Sequence, residues 1–193
     1  MSHTSLLTSI NKHIRLTQEE ERFVHASFIV QRVRQNELLE NPGEPSRFLT
    51  YVNSGCLMTY YTDDKGHDHV MQFSSAGWWT GDLNSLLKCV PSIYSTRALA
   101  DSEVLLITKI GLDTLLERFP KFERFFRIIF QNSLVTHQER IIQGYSAKAE
   151  ERYQHFLEKY PTLEQFVPLK YIASYLGITP EFLSKIRRKI MEA

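Results

Sequence analysis

The residues best suited to binding a polyanion lie near the C-terminal end of the chain, in the stretch TPEFLSKIRRKI that begins at Thr179. On a helical wheel of about 100° per residue, the apolar residues Leu183, Ile186 and Ile190 share one side. Hydroxyl, carboxylate and basic groups cluster on and beside the opposite side, where they can hydrogen-bond to base edges or to phosphates. The candidate DNA-contacting residues are Thr179, Glu181, Ser184, Lys185, Arg187, Arg188 and Lys189.

The preceding residues predict a second short helix packed against this one across a tight turn. Ile172 and Leu176 form an apolar inner face, and Ala173 is small enough for a close helix crossing. Gly177 can adopt the positive φ that the turn requires, and Thr179 is a natural N-cap. A solvated amphipathic helix would explain the charges but not this series of residues. The pattern therefore favours a helix-turn-helix that reads the major groove.

Short apolar runs at about residues 28–108 predict strands, in contrast to the helical spacing before residue 25. The runs FIVQRV, FLTYVN, CLMTYYT, HVMQF and EVLLIT are rich in β-branched and aromatic residues and are separated by turn sequences such as DDKG. Together they predict an α+β protein with an N-terminal antiparallel jelly roll, or double-stranded β-helix, followed by helices. The expected domains are residues 1–118, a long helix at 119–146, and a helix-turn-helix domain at 147–193.

The long helix carries an apolar stripe wider than that of a simple surface helix. Packing only on its own sheet is one explanation; the one we favour is that the helix also packs against a second copy of the chain. The candidate dimer residues are Phe126, Ile129, Phe130 and Leu134.

Composition and charge exclude several classes of protein. The net charge is +1, so any surface that binds nucleic acid must be local. The two cysteines, Cys56 and Cys89, form no pair of metal-ligand spacing and fit a reducing compartment. We see no signal peptide and no apolar run long enough to cross a bilayer, so we expect a cytoplasmic protein without a membrane partner.

With strands, long helix and terminal motif in view, the chain resembles the Crp/Fnr family of bacterial transcription regulators. The resemblance is carried by IASYLGITPEFLSKIRRK, by AGWWTGDLNSLL and by STRALADSEVLLI. It implies a cyclic-nucleotide-binding-type jelly roll, a dimerising helix and a DNA-binding domain. It also implies double-stranded DNA with a pseudo-palindromic operator, a homodimer and RNA polymerase as partners, and it leaves the effector unknown.

The resemblance places an effector pocket at Gly81, Asp82 and Leu83, where members that bind cyclic nucleotides hold the ribose and phosphate. Ser92 and Ile93 stand where those members have an arginine followed by Ser or Thr. Arg97 lies five residues further on and would substitute only if the strand were shifted. A buried phosphate without its charge-assisted bonds loses about 1.5–3 kcal/mol for each one. We therefore expect a degenerate pocket that does not bind cyclic AMP.

Other sensor types and an enzymatic function find less support in the sequence. An iron–sulfur sensor needs about four cysteines, and a cupin-type enzyme needs a cluster of histidine and carboxylate ligands. Only His67 and His69 approach such a cluster, so we expect no metal, no cofactor and no catalytic residues. Many family members carry a β-hairpin wing after the recognition helix. Here three residues follow Ile190, so we expect Arg187, Arg188 and Lys189 to supply phosphate contacts. The alternative is a β domain whose helical tail docks a protein partner.

Overall fold

The computed structural model describes residues 3–192, and its contacts divide the chain into two compact units. The first unit comprises residues up to Thr59 together with Phe73–Gln131, and the second comprises Tyr60–Gln72 with the residues from Asn132 onward. This division differs from the three consecutive segments expected from the sequence. The reason is that a hairpin at 60–72 bonds to the C-terminal helices, as described below.

Two helices precede the first strand. They are α1 (Thr4–Asn11) and α2 (Gln18–Ser27), so the expected N-terminal helical region is interrupted. Thr17 starts α2 through a capping box, in which its hydroxyl accepts from the amide of Glu20 and the Glu20 carboxylate accepts from the amide of Thr17. These reciprocal bonds satisfy two amides at the start of α2, and they favour a new helix over the continuation of α1.

Within residues 3–192, eight strands form two four-stranded sheets. Their bounds are β1 (Ile29–Val33), β2 (Leu38–Glu40), β3 (Phe48–Ser54), β4 (Cys56–Thr62), β5 (Asp68–Ser75), β6 (Trp79–Thr80), β7 (Tyr94–Ala98) and β8 (Ser102–Thr108). The strand order is β1-β8-β3-β6 in one sheet and β2-β7-β4-β5 in the other. β8 pairs antiparallel with both β1 and β3. The expected antiparallel jelly roll is confirmed.

One hydrophobic core of the first unit lies between one sheet and the helices packed on it. Tyr51 and Leu105 from the sheet meet Phe122 and Phe125 from the long helix, and all four side chains are buried. Trp79 packs edge-on against Tyr51 with ring centroids 5.2 Å apart, which gives this tryptophan the core-filling role expected from its size.

The remaining helices are α3 (Leu83–Lys88), α4 (Lys109–Arg118), α5 (Lys121–Ser146), α6 (Ala149–Lys159), α7 (Leu169–Leu176) and α8 (Pro180–Met191), with a 3-10 helix at Leu163–Gln165. The long helix expected at 119–146 corresponds to α5. Within residues 3–192, none of the helices combines the length and apolar character needed to cross a membrane.

Arg140 and Ser174 connect the hairpin to the helices within the second unit. The Arg140 guanidinium donates to the carbonyls of Val70, Met71 and Tyr175. The Ser174 hydroxyl donates to the carbonyl of Asp68 at 2.6 Å and accepts from the amide of Val70 at 2.9 Å. These bonds use backbone groups at the edge of β5, and they hold the hairpin against α5 and α7.

Candidate nucleic-acid interface

The helix-turn-helix geometry is set by the turn between α7 and α8. Gly177 ends α7 at φ +67°, a left-handed conformation that favours glycine. The amide of Ile178 donates to the carbonyl of Ala173 at 3.0 Å, and the hydroxyl of Thr179 accepts from the amide of Phe182 at 3.2 Å. Between the two helices the buried residues are Ile172, Ala173, Leu176, Leu183 and Ile186. The turn and the inner faces are therefore arranged as the spacing of these residues predicts.

Four of the predicted DNA-contacting residues share the outer face of α8. Glu181, Ser184, Lys185 and Arg188 are all exposed. Hydrogen bonds from its own backbone amide and from the Thr179 hydroxyl lower the pKa of Glu181, so this side chain is a carboxylate at neutral pH. A carboxylate accepts from cytosine N4, whereas Lys and Arg donate to guanine, so the face offers both kinds of base contact.

Phe182 adds an apolar group to this polar face that we did not predict from the sequence. Its side chain is 45% exposed although it lies in the first turn of α8. An exposed aromatic ring beside base-reading side chains can contact a thymine methyl group. The sequence signal was its wheel position, about 100° from the buried Leu183.

Arg187 and Lys189, which flank the outer face of α8, have different ion-pair partners. The Arg187 Nε lies 2.6 Å from a carboxylate oxygen of Glu164, and both side chains are mostly buried, at 27% and 22% exposure. Lys189 is 3.8 Å from Glu150 and is 76% exposed, so its ion pair is weak. Lys189 can turn toward a phosphate at little cost. Arg187, in contrast, has a close partner within its own domain, which competes with the predicted phosphate contact.

The predicted effector pocket begins at Gly81. This residue has φ +146°, and a Cβ placed there would lie 3.1 Å from the carbonyl oxygen of Phe48. Asp82 caps the following helix α3, because its carboxylate accepts from the amide of Ser85 at 3.0 Å. Leu83 is the first residue of that helix. The turn is therefore formed, but its carboxylate already bonds to one of the helix amides.

Ser92 fills the position where the resemblance asks for an arginine. Its hydroxyl donates to the second carboxylate oxygen of Asp82 at 2.9 Å, and the residue is 4% exposed. Ile93 is 58% exposed. Serine and aspartate thus bond to each other across the predicted phosphate site, and neither supplies a positive charge.

A second carboxylate, that of Glu40, lies near Asp82. Glu40 accepts from the hydroxyl of Ser46 at 2.5 Å and from that of Thr96 at 3.0 Å. Burial raises the pKa of Glu40, and the negative charge of Asp82 raises it further. Two carboxylates close enough to influence each other make this region unfavourable for an anion. We did not predict Glu40, since it lies more than 40 residues before Asp82 in the sequence.

Arg97 lies one residue after Thr96 on β7, opposite Leu38 of β2. Successive side chains of a strand point to opposite faces. Because Thr96 bonds to Glu40, Arg97 lies on the other face of β7. This placement does not favour the role of substitute phosphate ligand.

Comparisons with known proteins found a matching domain family and a similar regulatory protein. Residues 30–119 match the cyclic nucleotide-binding domain family. An anaerobic regulatory protein of Pasteurella multocida is 24% identical over 93% of this chain and 70% of its own length.

Two solved structures share the fold. FixK2 of Bradyrhizobium japonicum has a TM-score of 0.74 and 18% identity, and the match covers 86% of this chain and 85% of FixK2. The c-di-GMP responsive global regulator CLP of Xanthomonas campestris has a TM-score of 0.72 and 16% identity, over 91% and 92% of the two chains.

The chain contains a domain of the cyclic nucleotide-binding family. Its relatives are regulatory proteins, and the resemblance found in the sequence is confirmed.

The four candidate dimer residues fall into two groups. Phe126 is 4% exposed and packs against Trp79 with ring centroids 5.5 Å apart, so the protomer's own core contains it. Ile129 and Phe130 are partly buried against the same core, whereas Leu134 is 59% exposed. We therefore remove Phe126 from the candidate surface, because its side chain is already buried in one copy.

Exposed apolar residues continue along α5 after Leu134. Ile141 is 58% exposed and Tyr145 is 90% exposed. Taking Leu134 as the reference, Ile141 and Tyr145 lie about 20° to either side of it on a helical wheel. This narrow stripe, which we call the α5 stripe, has the repeat of a helix–helix seam. Beside it, Val135 and Ile142 are also exposed, which widens the apolar surface.

The two histidines considered as metal ligands bond instead to an aspartate of their own hairpin. His69 Nε2 lies 2.9 Å from Asp63, and His67 Nδ1 lies 3.5 Å from it. These bonds, with the amides of the turn, lower the pKa of Asp63 to about 2. Across residues 3–192, no group of three or more His, Cys, Asp or Glu side chains is placed to hold a metal ion.

Proposed function

We propose that this protein is a sequence-specific DNA-binding transcription regulator that acts as a homodimer. The observation that carries the proposal is the outer face of α8, where Glu181, Ser184, Lys185 and Arg188 are exposed together on a capped helix. The inner face of the same helix is buried against α7, as a major-groove reader requires. Phosphate contacts come from Lys189 and from the basic residues of the same face.

The exposed apolar α5 stripe supports the homodimer of this proposal. Leu134, Ile141 and Tyr145 expose apolar surface at the repeat of a parallel helix pair. A two-fold axis along such a seam presents two copies of α8 to the DNA. Their half-sites then lie about one helical turn (roughly 34 Å) apart, and the operator is a pseudo-palindrome.

We also propose that the jelly roll is not a receptor for cyclic AMP or cyclic GMP. The hydrogen bond between Ser92 and Asp82 spans the predicted phosphate site, and Glu40 adds a second carboxylate near it. A phosphate there would meet negative charge and no guanidinium on this face of β7. The signal that controls the protein is therefore of another kind, or the protein binds DNA constitutively.

Selection of binding sites from a random duplex library tests the DNA-binding proposal. The protein should enrich a pseudo-palindrome, and the variant Lys185→Ala/Arg188→Ala should lose that enrichment while its thermal unfolding stays close to that of the wild type. Because both residues are exposed, the double variant removes base contacts without disturbing the fold. Wild-type protein that enriched no sequence would overturn the proposal.

A second function, docking of a protein partner by the helical tail, is favoured by one observation. Phe182 and Met191 expose apolar surface on α8, at 45% and 76%. The same selection experiment separates the two functions, since a protein-docking helix gives no enriched DNA sequence.

A further inference from the structure

Glu164 is an acidic residue of the C-terminal helical domain. The proposed function places this domain against DNA, which is itself negatively charged. It lies in the 3-10 helix Leu163–Gln165, outside the two helices of the helix-turn-helix. One of its carboxylate oxygens accepts from the Tyr153 hydroxyl at 2.5 Å and lies 2.6 Å from the Arg187 Nε. The side chain is 22% exposed, so water screens these bonds only partly.

The three residues come from three separate elements. Tyr153 belongs to α6 and is 3% exposed, while Arg187 belongs to the second half of α8. On the helical wheel Arg187 lies only about 40° from the buried Leu183, so its side chain leaves α8 on the inner side. Glu164 therefore links α8 to α6.

The Tyr153 hydroxyl keeps its proton, and therefore donates to Glu164, over a wide range of pH. Burial first, and then the bond to Glu164, raises the pKa of Tyr153 to about 12. The phenol thus stays protonated at every pH at which the protein would bind DNA, and Glu164 keeps both of its partners.

We propose that Glu164 and Arg187 are positioning residues for DNA reading: their ion pair, anchored by Tyr153, fixes the rotation of α8 about its own axis. This inference rests on the proposed function, because it assigns a role only if α8 reads base pairs. A rotation of α8 moves Glu181, Lys185 and Arg188 together relative to the groove. Base contacts depend on such geometry within a fraction of an ångström, whereas phosphate contacts tolerate more movement.

If Glu164 positions α8, its removal should change the affinity for the preferred DNA site in the direction opposite to that expected from its charge alone. Removing a negative charge from a DNA-binding domain should tighten its binding to any duplex, because the repulsion from phosphates falls. If Glu164 positions α8, Glu164→Ala should instead weaken binding to the preferred site, by about tenfold, which corresponds to 1.4 kcal/mol. Binding to unrelated duplexes should be unchanged or tighter, so that the ratio of specific to non-specific affinity falls.

The experiment measures fluorescence anisotropy with the library-selected duplex and with a scrambled duplex, at several salt concentrations. Glu164→Gln is the conservative variant, since its amide oxygen still accepts from the Tyr153 hydroxyl and still lies beside Arg187; it should recover most of the specificity. Glu150→Gln is the matched control, because it also removes an acidic charge from this domain but breaks only the 3.8 Å pair with Lys189. It should not lower the specificity ratio.

Arg187→Met distinguishes positioning from phosphate contact. A lost phosphate contact reduces the slope of log K against log salt by about 0.9, whereas a lost positioning residue lowers specificity and leaves the slope as in the wild type. Thermal unfolding of each variant shows that the domain is folded.

Three outcomes of these experiments would contradict either the positioning role or the proposed function. If Glu164→Ala increased the affinity for both duplexes equally, the positioning role would be overturned. Glu164 would then only repel the DNA phosphates. A slope change of about 0.9 for Arg187→Met would assign Arg187 to a phosphate and also overturn the positioning role. Wild-type protein that preferred neither duplex would overturn the proposed function itself.

Discussion

At the scale of single residues, the exposed face of α8 and the partners of its cations determine what each side chain can do. Glu181, Ser184, Lys185 and Arg188 lie on the solvent side as the helical wheel predicts. Arg187 does not lie with them. The helical wheel explains this, because Arg187 follows the buried Leu183 by four positions and lies only about 40° from it. The partner of Arg187, Glu164, could not be predicted from the sequence, because nothing in PTLEQF indicates a contact with a residue 23 positions later.

Replacement of Glu181 by Ala should relax base preference at one position in each half-site. The carboxylate is exposed and ionised, so its loss removes an acceptor for cytosine N4 without opening a cavity. The expected loss of discrimination at that position is about 1–3 kcal/mol. Repeating the library selection with the variant measures it, and Lys189→Ala should leave the preferred sequence unchanged. A Glu181→Ala profile identical to that of the wild type would remove Glu181 from the base-reading set.

Replacement of Glu40 by Gln should change the dependence of stability on pH. Burial, reinforced by the charge of Asp82, raises the pKa of Glu40 in the folded protein above its unfolded value. The folded state therefore holds this proton more tightly, and the wild type loses that stabilisation as the pH rises from the unfolded pKa through the folded one. Glutamine cannot ionise and is free of this loss.

We expect the stability of Glu40→Gln, relative to the wild type, to be greater at pH 7 than at pH 4. Denaturant unfolding at the two pH values measures the difference. Glu44→Gln is the control, because that side chain is exposed; its difference from the wild type should not vary in this way. A Glu40→Gln difference that was constant with pH, or that fell toward pH 7, would contradict the burial of this carboxylate next to Asp82.

At the scale of elements, α5 has two roles along its length. Its first half supplies Phe122, Phe125 and Phe126 to the core of the first unit. In its second half Arg140 bonds to the hairpin and to α7, while the α5 stripe is exposed. From the sequence we expected the wide apolar stripe to pack both on the helix's own sheet and on a second copy of the chain. In the structure the helix buries one apolar face in its first half and exposes another in its second half.

Replacement of Ile141 by Glu should convert a dimer into a monomer. The side chain is exposed in one copy, so the change costs the protomer little, but in a paired helix it would bury an unpaired charge at a cost of several kcal/mol. Asn132→Glu is the matched control, since Asn132 is exposed and lies about 160° from Leu134 on the helix. Light scattering at micromolar concentration measures both. A wild-type protein that was already monomeric, or an Ile141→Glu dimer, would contradict the seam.

At the scale of the whole molecule, the sequence predicted the fold class better than it predicted the pocket. The five long strands and the helix-turn-helix follow from periodicity and turn residues, which are local signals. Three strands were missed: β2 and β6 have three and two residues, too short for a periodic pattern, and β7 (YSTRA) lacks the apolar alternation of the others. Ser92–Asp82 and Glu40–Thr96 were missed for a different reason, because such bonds join residues that only the fold brings together.

The jelly roll should not bind cyclic AMP or cyclic GMP with useful affinity. Ser92 can donate at most one neutral hydrogen bond, of about 0.5–1.5 kcal/mol, and to do so it must leave Asp82. Compared with an arginine, the deficit is a few kcal/mol, which corresponds to about a 10- to 1000-fold loss of affinity at 1.4 kcal/mol per decade. The carboxylates of Asp82 and Glu40 add repulsion of the phosphate. We therefore expect calorimetric titration with cyclic AMP or cyclic GMP to show no binding tighter than near-millimolar. The affinity for the selected duplex should be the same with and without either nucleotide, and this measurement also confirms that the titrated protein is active. A dissociation constant in the low micromolar range would show that the pocket opens, with Ser92 releasing Asp82 and Arg97 reaching the phosphate from the other face of β7.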